Sequence, residues 1–311
     1  MDKRIYFHAL GTDNHIYLPQ YDKENIALSA ENRVLQLDKR LSIFNAESEI
    51  SQINQYAGKE PVWVSSDTFT LLRRAVWWSE RTNGAFDITL GPLIKLWRKA
   101  KLEKIPPKQS AINECLRLVD YRDLILDEKN STAMLKRCGQ CIDLGGIAKG
   151  FAADQVKKLL LENEVRSALI NLGGNIAAIG SKPDGSPWKL GIQKPFAPVG
   201  EYIGLTEIVD ATVVTSGLYE NYFYHGNRLY HHIIDSHTGW PCESGLLSVT
   251  AIGKSSMDMD ALTTAIYALG MEKGLELLKA EGSKGVFITS QKQVYTTEDM
   301  DEKFKLIKKR K

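Results

Sequence analysis

The chain has 311 residues, a net charge of +2, and 43% hydrophobic and 25% charged residues. That length holds one large domain or two intimately packed lobes, and so small a net charge makes no general electrostatic case for nucleic acid. No apolar run approaches the roughly 20 residues of a membrane-spanning helix. Residues 1–8 lack the apolar core and cleavage site of a signal peptide, and no lipid-attachment cysteine stands near the start, so a cytoplasmic location is expected.

In chain order, residues 5–18 read as two short strands joined by a turn at 11–15. Over 24–41, Ile26, Leu28, Val34, Leu35 and Leu37 approach the spacing of an amphipathic helix. Ser48 is placed to cap a short helix after it. Residues 68–81 form a helix with Phe69, Leu72, Ala75, Val76 and Ser79 at helical spacing, and Trp77 and Trp78 as packing aromatics. Gly84-Ala85-Phe86-Asp87 then suits either a helix-ending turn plugged by Phe86 or a ligand-contacting loop. A short helix over 93–101 follows Pro92, and 99–108, with Pro106 and Pro107, reads as a mobile surface loop. Residues 110–119 read as a helix capped by Ser110, and 124–126 and 133–135 as a hairpin over a 127–131 turn. The pair Cys138 and Cys141 precedes a strand, where no helix N-terminus lowers a thiol pKa. Cys115 and Cys242 are not spaced to complete a zinc site, so the pair reads as two incidental thiols.

The stretch Cys141-Ile142-Asp143-Leu144-Gly145-Gly146-Ile147-Ala148-Lys149-Gly150 opens as an apolar strand, bends at paired glycines and enters a helix through Ala152, Ala153, Val156, Leu159 and Leu160. Glycines let backbone N–H groups approach a ligand, and a helix N-terminus adds unpaired donors and a positive dipole end. Lys149 could add a charge to a diphosphate held there, and Asp143, at the strand end, could accept a hydrogen bond from a base or ribose. Taken alone, the stretch fits equally well a tight turn with no ligand. Residues 167–171 form a strand ending in Leu172-Gly173-Gly174-Asn175, a second glycine turn toward the same cleft. Further strands cover 176–179, 188–192, 202–208 and 211–216, the last placing the Thr215 and Ser216 hydroxyls for a phosphate or a capped turn. After a hairpin at 225–227, His231 and His232 point to opposite faces of a strand and cannot serve one site. Residues 258–269 form a helix that Asp258 could cap, with Asp260 and Thr264 on one face. That carboxylate and hydroxyl are hard oxygen donors, suited to Mg²⁺ and unsuited to zinc, although on these residues alone a solvated Asp at a helix start is a simpler reading than a metal ligand. A helix over 275–279, a strand over 285–289, an edge segment over 294–296 and a basic, solvated tail over 303–311 complete the chain.

Several of these stretches, in order and in spacing, resemble the FAD:protein FMN transferase family, the ApbE-like flavin transferases. They are Ala9-Leu10-Gly11-Thr12, Ser48-Glu49-Ile50-Ser51, Thr82 through Pro92, the 141–154 stretch, Asn171 through Asn175, Thr215-Ser216-Gly217, Tyr230 through Asp235 with Thr238-Gly239-Trp240-Pro241, and Met257 through Ala265. The resemblance covers nearly the whole chain. It implies a single domain over 1–311 of class α+β, with mixed, largely antiparallel sheets flanked by helices. Strands and helices do not alternate regularly, which already disfavours a doubly wound fold. It implies FAD contacts from Leu10, Phe44, Ala85, Phe86, Asp87, Asp143, Lys149, Thr215, Ser216, His232 and Ile234. Relatives usually carry tyrosine at the Phe44 position, so the ring face is kept here and the hydroxyl lost. Mg²⁺ ligands are implied at Asp260, Thr264 and the Gly146 carbonyl, and a base at His232 or Asp260.

The implied reaction is attack by a threonine or serine hydroxyl of an acceptor flavoprotein on the FMN-side phosphorus of FAD, releasing AMP. The acceptor carries a Ser/Thr-Gly-Ala-Ser/Thr-like segment. Two alternatives share the scaffold: a metal-dependent FAD pyrophosphatase, and a flavin carrier without chemistry. The intact Asp260, Thr264 and Lys149 argue against the carrier.

Overall fold

The computed structural model describes residues 3–19, 24–300 and 304–307. Strands β1 (Lys3–Ala9) and β2 (Thr12–Leu18) pair from Lys3↔Leu18 to Ala9↔Thr12. Only Leu10 and Gly11 connect them, both at left-handed φ (55° and 69°), the backbone that matches the twist of a two-residue hairpin. The turn is therefore shorter than the expected 11–15, and His15 lies inside β2 opposite Tyr6. Helix α1 (Glu24–Leu41) buries Ile26, Ala30, Val34, Leu37 and Leu41, a stripe at helical spacing. Leu28 and Leu35, expected in that stripe, face solvent.

Ser48 caps α2 (Glu49–Gln55), its hydroxyl accepting from Ser51 N–H at 3.0 Å, as expected. After β3 (Val62–Trp63), helix α3 (Ser66–Arg81) starts two residues early because Ser65 caps it. Helix α4 (Gly91–Glu103) takes Pro92 into its first turn, where the missing N–H costs nothing, and runs past Lys99 to a left-handed Lys104. The surface loop expected over 99–108 is thus helical as far as Glu103. Helix α5 (Gln109–Leu116) follows, with Ser110 inside it rather than capping it. Strands β4 (Leu124–Asp127) and β5 (Thr132–Leu135) form the expected hairpin and add β3 to make a small sheet.

The strand expected at Cys141 is absent. A single parallel bridge, Leu90↔Cys141, is all it makes. The Asn54 amide satisfies Ile142 instead, accepting from its N–H at 2.6 Å and donating to its carbonyl at 3.0 Å. Asp143 N–H goes to the Ile88 carbonyl. A turn over residues 145–147, at the paired glycines, then leads into helix α6 (Ala148–Glu162).

The remaining elements are β6 (Ala168–Leu172), β7 (Asn175–Ile179), β8 (Trp188–Gln193), β9 (Tyr202–Ile208), β10 (Thr212–Gly217), β11 (Tyr222–His225) and β12 (Arg228–His231). After them come β13 (Leu246–Gly253), α7 (Ser256–Leu269), α8 (Met271–Ala280), β14 (Lys284–Thr289), β15 (Val294–Thr296) and β16 (Phe304–Leu306). An eight-stranded sheet of order β1-β2-β6-β7-β10-β13-β14-β15 is the backbone of the fold. Its ladders are antiparallel. Strand alternation sends Ala177, Val214, Ala251 and Phe287 to one face, where α1, α6 and α7 close the main core. Their neighbours Ala178, Val213, Ile252 and Val286 meet the three-stranded β16-β9-β8 sheet on the other. A third cluster joins α4 and α5 to the β11–β12 hairpin through Trp97, Ile112, Phe223 and Tyr230. The class is the α+β arrangement the sequence implies. Within the basic 303–311 run, Phe304–Leu306 pairs with β9, whereas Lys303 and residues 308–311 lie outside the described residues. Among the described residues no helix is long and apolar enough to cross a membrane.

Candidate active site

The crossing of α6 and α7 builds the centre of the site. A Cβ on Gly150 would stand 2.2 Å from the Ser256 carbonyl oxygen, so only glycine lets the two helices approach this closely. Each helix then caps the other. Asp154 of α6 accepts from the N–H groups of Ser256 (2.8 Å) and Met257 (3.0 Å) and from the Ser255 hydroxyl (2.9 Å). Asp260 of α7 accepts the Gly150 N–H at 2.9 Å through Oδ2. Burial pushes the Asp154 carboxyl upward, and these three donors oppose the shift.

Asp260 is 4% exposed, and among the described residues its Oδ1 takes no hydrogen bond. Oδ1 is the edge of this otherwise buried carboxylate that stays accessible, open to a positive ligand. Thr264, one turn along, donates its proton to the Asp260 carbonyl (3.2 Å), which leaves the hydroxyl lone pairs open. The Gly146 backbone lies against both Thr264 and Phe86: a Cβ there would meet Thr264 Oγ1 at 3.1 Å and the Phe86 ring at 3.2 Å. Three sequence-predicted metal residues thus converge. A carboxylate, a hydroxyl and a main-chain carbonyl from these residues would suit a small hard cation. Among the described residues no group of three or more His, Cys, Asp or Glu could hold a metal, so any cation here depends on those neutral oxygens.

Asp258 sits apart from this cluster and does not cap α7; Ser255 does, accepting from Asp258 N–H. The Asp258 carboxylate binds Arg74 at 2.6 Å and Trp78 Nε1 at 2.9 Å, tying α7 to α3. Asp258→Ala should therefore cost about 1–3 kcal/mol of stability by stranding both donors, while leaving catalysis within about twofold. Thermal unfolding alongside initial rates checks this, and a rate loss matching that of an Asp260 variant would refute it.

Ser216 joins the cluster, bonded to Thr263 (2.9 Å) and within 3.4 Å of Thr264 Oγ1. Thr215 does not join it. Alternation along β10 turns Thr215 to the opposite face, where its hydroxyl pairs with Thr250 at 2.8 Å. Lys149, in the first turn of α6, reaches back to the Gly145 carbonyl at 3.3 Å. Asp143 is 8% exposed; Oδ1 accepts from Gly145 N–H (2.8 Å) and Oδ2 from Arg98 (3.2 Å). The Arg98 guanidinium also lies 5.0 Å over the Phe44 ring, which is 82% exposed.

Phe86 is buried and closes the 84–87 turn. Asp87 is spent inside the fold: Thr89 donates twice to Oδ1 (2.6 and 2.7 Å) and Tyr121 N–H donates to Oδ2. The side-chain contact to FAD expected of Asp87 thus has three protein competitors, and the backbone of the turn is what remains for a ligand. Ala85 lines a cavity of about 540 Å³ with Asp235 and Ala268, the latter one turn beyond Thr264 on α7. The other predicted site residues lie outside that wall. Leu10 packs against the main core at its hairpin tip, and Ile234 is buried in the third cluster.

The histidines divide between interior and solvent as expected, although β12 ends at His231 and His232 stands in the bend after it. His231 is buried, its ring bonded to the Cys242 carbonyl (3.0 Å) and set edge-on against Tyr267. His232 opens to solvent, and its main-chain N–H and ring Nδ1 both reach the Asn221 carbonyl, at 3.1 and 3.2 Å. A carbonyl only accepts, so Nδ1 carries the proton and Nε2 is the free acceptor. Surrounding protein, then the His231 ring and the Lys149 and Lys101 charges, lower its pKa to about 4, against the Asn221 bond. Solvent reaching the ring moderates the burial contribution, and the direction stands: the imidazole is neutral at pH 7.

Arg98, Lys101, Glu220 and Asn221 were missed in the sequence. Glu220 is solvent-exposed, which tempers the upward push that surrounding protein gives its carboxyl; Lys149 opposes that shift and Asp260 adds to it. Arg98 and Lys101 fall in the helix expected over 93–101, but helical spacing alone does not say which face meets the site. All four cysteines are free; Cys141 is buried with its thiol pKa raised, which suits no thiolate chemistry.

A sequence model of the ApbE family matches residues 10–287. An FAD:protein FMN transferase of Klebsiella pneumoniae is 38% identical over 299 residues, covering 94% of this chain and 92% of that protein. Another, of Treponema pallidum, is 36% identical over 273 residues, covering 83% and 75%. The crystal structure of the ApbE protein from Thermotoga maritima superposes with a TM-score of 0.90 at 29% identity, over 97% of this chain and 99% of that one. The flavin transferase ApbE from Vibrio cholerae gives 0.84 at 26% identity, over 97% and 100%.

Proposed function

The chain belongs to the ApbE family, and from that premise we propose that it transfers FMN from FAD to a threonine or serine hydroxyl of an acceptor flavoprotein, releasing AMP. The observation that carries this reading is the convergence of Asp260, Thr264 and Gly146 beside the N-terminus of α6. Phosphoryl transfer asks a protein mainly for positioning and charge neutralisation. The Asp260 carboxylate, the Thr264 hydroxyl and the Gly146 carbonyl would hold Mg²⁺, which would supply charge neutralisation at the diphosphate.

The chain's own groups do the rest. Lys149 and the first turn of α6 attract the diphosphate, and the Ser216 hydroxyl, which donates to Thr263, lies beside Thr264 at the edge of the cluster. Phe44 offers its exposed ring face to the isoalloxazine, and Arg98, whose guanidinium lies over the same ring and binds Asp143, stands beside it. The acceptor oxygen forms a bond to the FMN-side phosphorus as the bond to the AMP oxygen breaks. Its proton passes to His232 Nε2. Asp260 is the less accessible of the two, because it is buried and its Oδ2 already holds Gly150. Bound diphosphate offsets the Lys149 charge, which returns the imidazole toward its ordinary pKa and makes it a better base.

Water competes with the acceptor. A docked hydroxyl reaches an effective molarity of about 10⁵ M or more, enough to win. AMP formation from FAD and Mg²⁺ should therefore be slow with this protein alone and rise steeply when a domain bearing a Ser/Thr-Gly-Ala-Thr-like segment is added. Chromatographic quantitation of AMP measures it. Fast AMP release that the acceptor leaves unchanged would point to the pyrophosphatase instead.

A further inference from the structure

Helix α4 presents Arg98 and Lys101 three residues apart, hence on one face. Arg98 grips Asp143 on the FAD side of the cleft. Lys101 donates through Nζ to the Asn221 side-chain oxygen. Asn221 lies in the turn between β10 and β11, and its carbonyl takes both the main-chain N–H and the ring Nδ1 of His232. One side chain and one peptide group thus separate Lys101 from the imidazole. We propose that Lys101 is a positioning residue for His232: through Asn221 it fixes the carbonyl that keeps the proton on Nδ1 and Nε2 free for the acceptor hydroxyl.

This inference rests on His232 acting as the base in the proposed transfer. The simpler role is a surface hydrogen bond with no influence on the ring, and for stability alone an exposed contact of this kind contributes about 0–1 kcal/mol. Kinetics and stability therefore separate the two. The charged and titratable groups around His232 are Lys101 from α4, Lys149 from α6 and His231 from β12, with Glu220 in the neighbouring turn. Two cations near the ring favour its neutral form, and Lys101 is one of them.

Three variants test the proposal in the full-length protein with FAD, Mg²⁺ and an acceptor domain. Lys101→Met and Asn221→Ala should each lower kcat about tenfold, a part of the 10²–10⁴ that a general base contributes, with FAD affinity kept within about twofold. Lys101→Met should also move the acid limb of kcat/KM to higher pH, because removing a cation raises the imidazole pKa. Lys101→Arg should restore both. Unchanged kcat in Lys101→Met, or a loss that tracks lowered melting temperature without a pH shift, would overturn the proposal. Ring ¹⁵N chemical shifts of His232 give a readout independent of turnover: the wild type should show the Nδ1–H tautomer, and Lys101→Met a mixture. If the wild type transfers no FMN, the functional reading fails while the tautomer measurement still decides the positioning, and identical ring spectra in the two proteins would sink it.

Discussion

Asp260→Asn should leave the protein folded and cut Mg²⁺-dependent FMN transfer by at least about 10²–10³-fold, the scale of losing one preorganised electrostatic group. The amide keeps an oxygen to accept the Gly150 N–H, so the cap on α6 survives; Asp260→Ala would lose it, at about 1 kcal/mol. What the amide lacks is the negative charge, and Asp260 is the only charged group in the proposed donor set. Rates across a Mg²⁺ titration, paired with thermal unfolding, check this. Activity within tenfold of wild type at the same Mg²⁺ midpoint would show that the cation, if any, lies elsewhere.

His232→Ala should lower kcat by about 10²–10⁴-fold while FAD affinity falls far less. Because the ring is open to solvent, added imidazole should recover part of the rate. The pH dependence has a definite sign. A base must be neutral to act, and the surrounding protein, His231 and the Lys149 and Lys101 charges hold this imidazole below its usual 6.5. The acid limb of kcat/KM, which reports the free enzyme, should therefore lie well below pH 6.5 and vanish in the variant. An acid limb at the ordinary histidine value, or one that persists without the ring, would remove His232 as the base.

Features set by neighbours along the chain were legible in the sequence, and those set by distant contacts were not. The Ser48 cap, the β4–β5 hairpin and the shared face of Asp260 and Thr264 each depend on residues a few positions apart. The Cys141 segment looked like a strand because it is apolar; its backbone partners are Asn54 and Ile88, far away in sequence. Asp258 was given the cap of α7, although Ser255 three residues before it completes a recognisable N-terminal pattern. The long-range salt bridge with Arg74 that occupies Asp258 carries no sequence signal. Asp87 likewise looked available until Thr89 and Tyr121 claimed its carboxylate. Gly146 reached the ligand set through family resemblance alone, since no spacing rule links a turn glycine to a helix more than a hundred residues on. The structure then puts its backbone against Thr264.

The central claim is that the phosphoryl acceptor is a protein hydroxyl. Intact mass spectrometry of an acceptor domain, after incubation with FAD, Mg²⁺ and this protein, tests it most directly. The account predicts a gain of FMN less water, one AMP per label, and no gain when the final threonine of the acceptor segment is replaced by alanine. An unmodified acceptor, with FAD converted to free FMN and AMP in its presence, would contradict it.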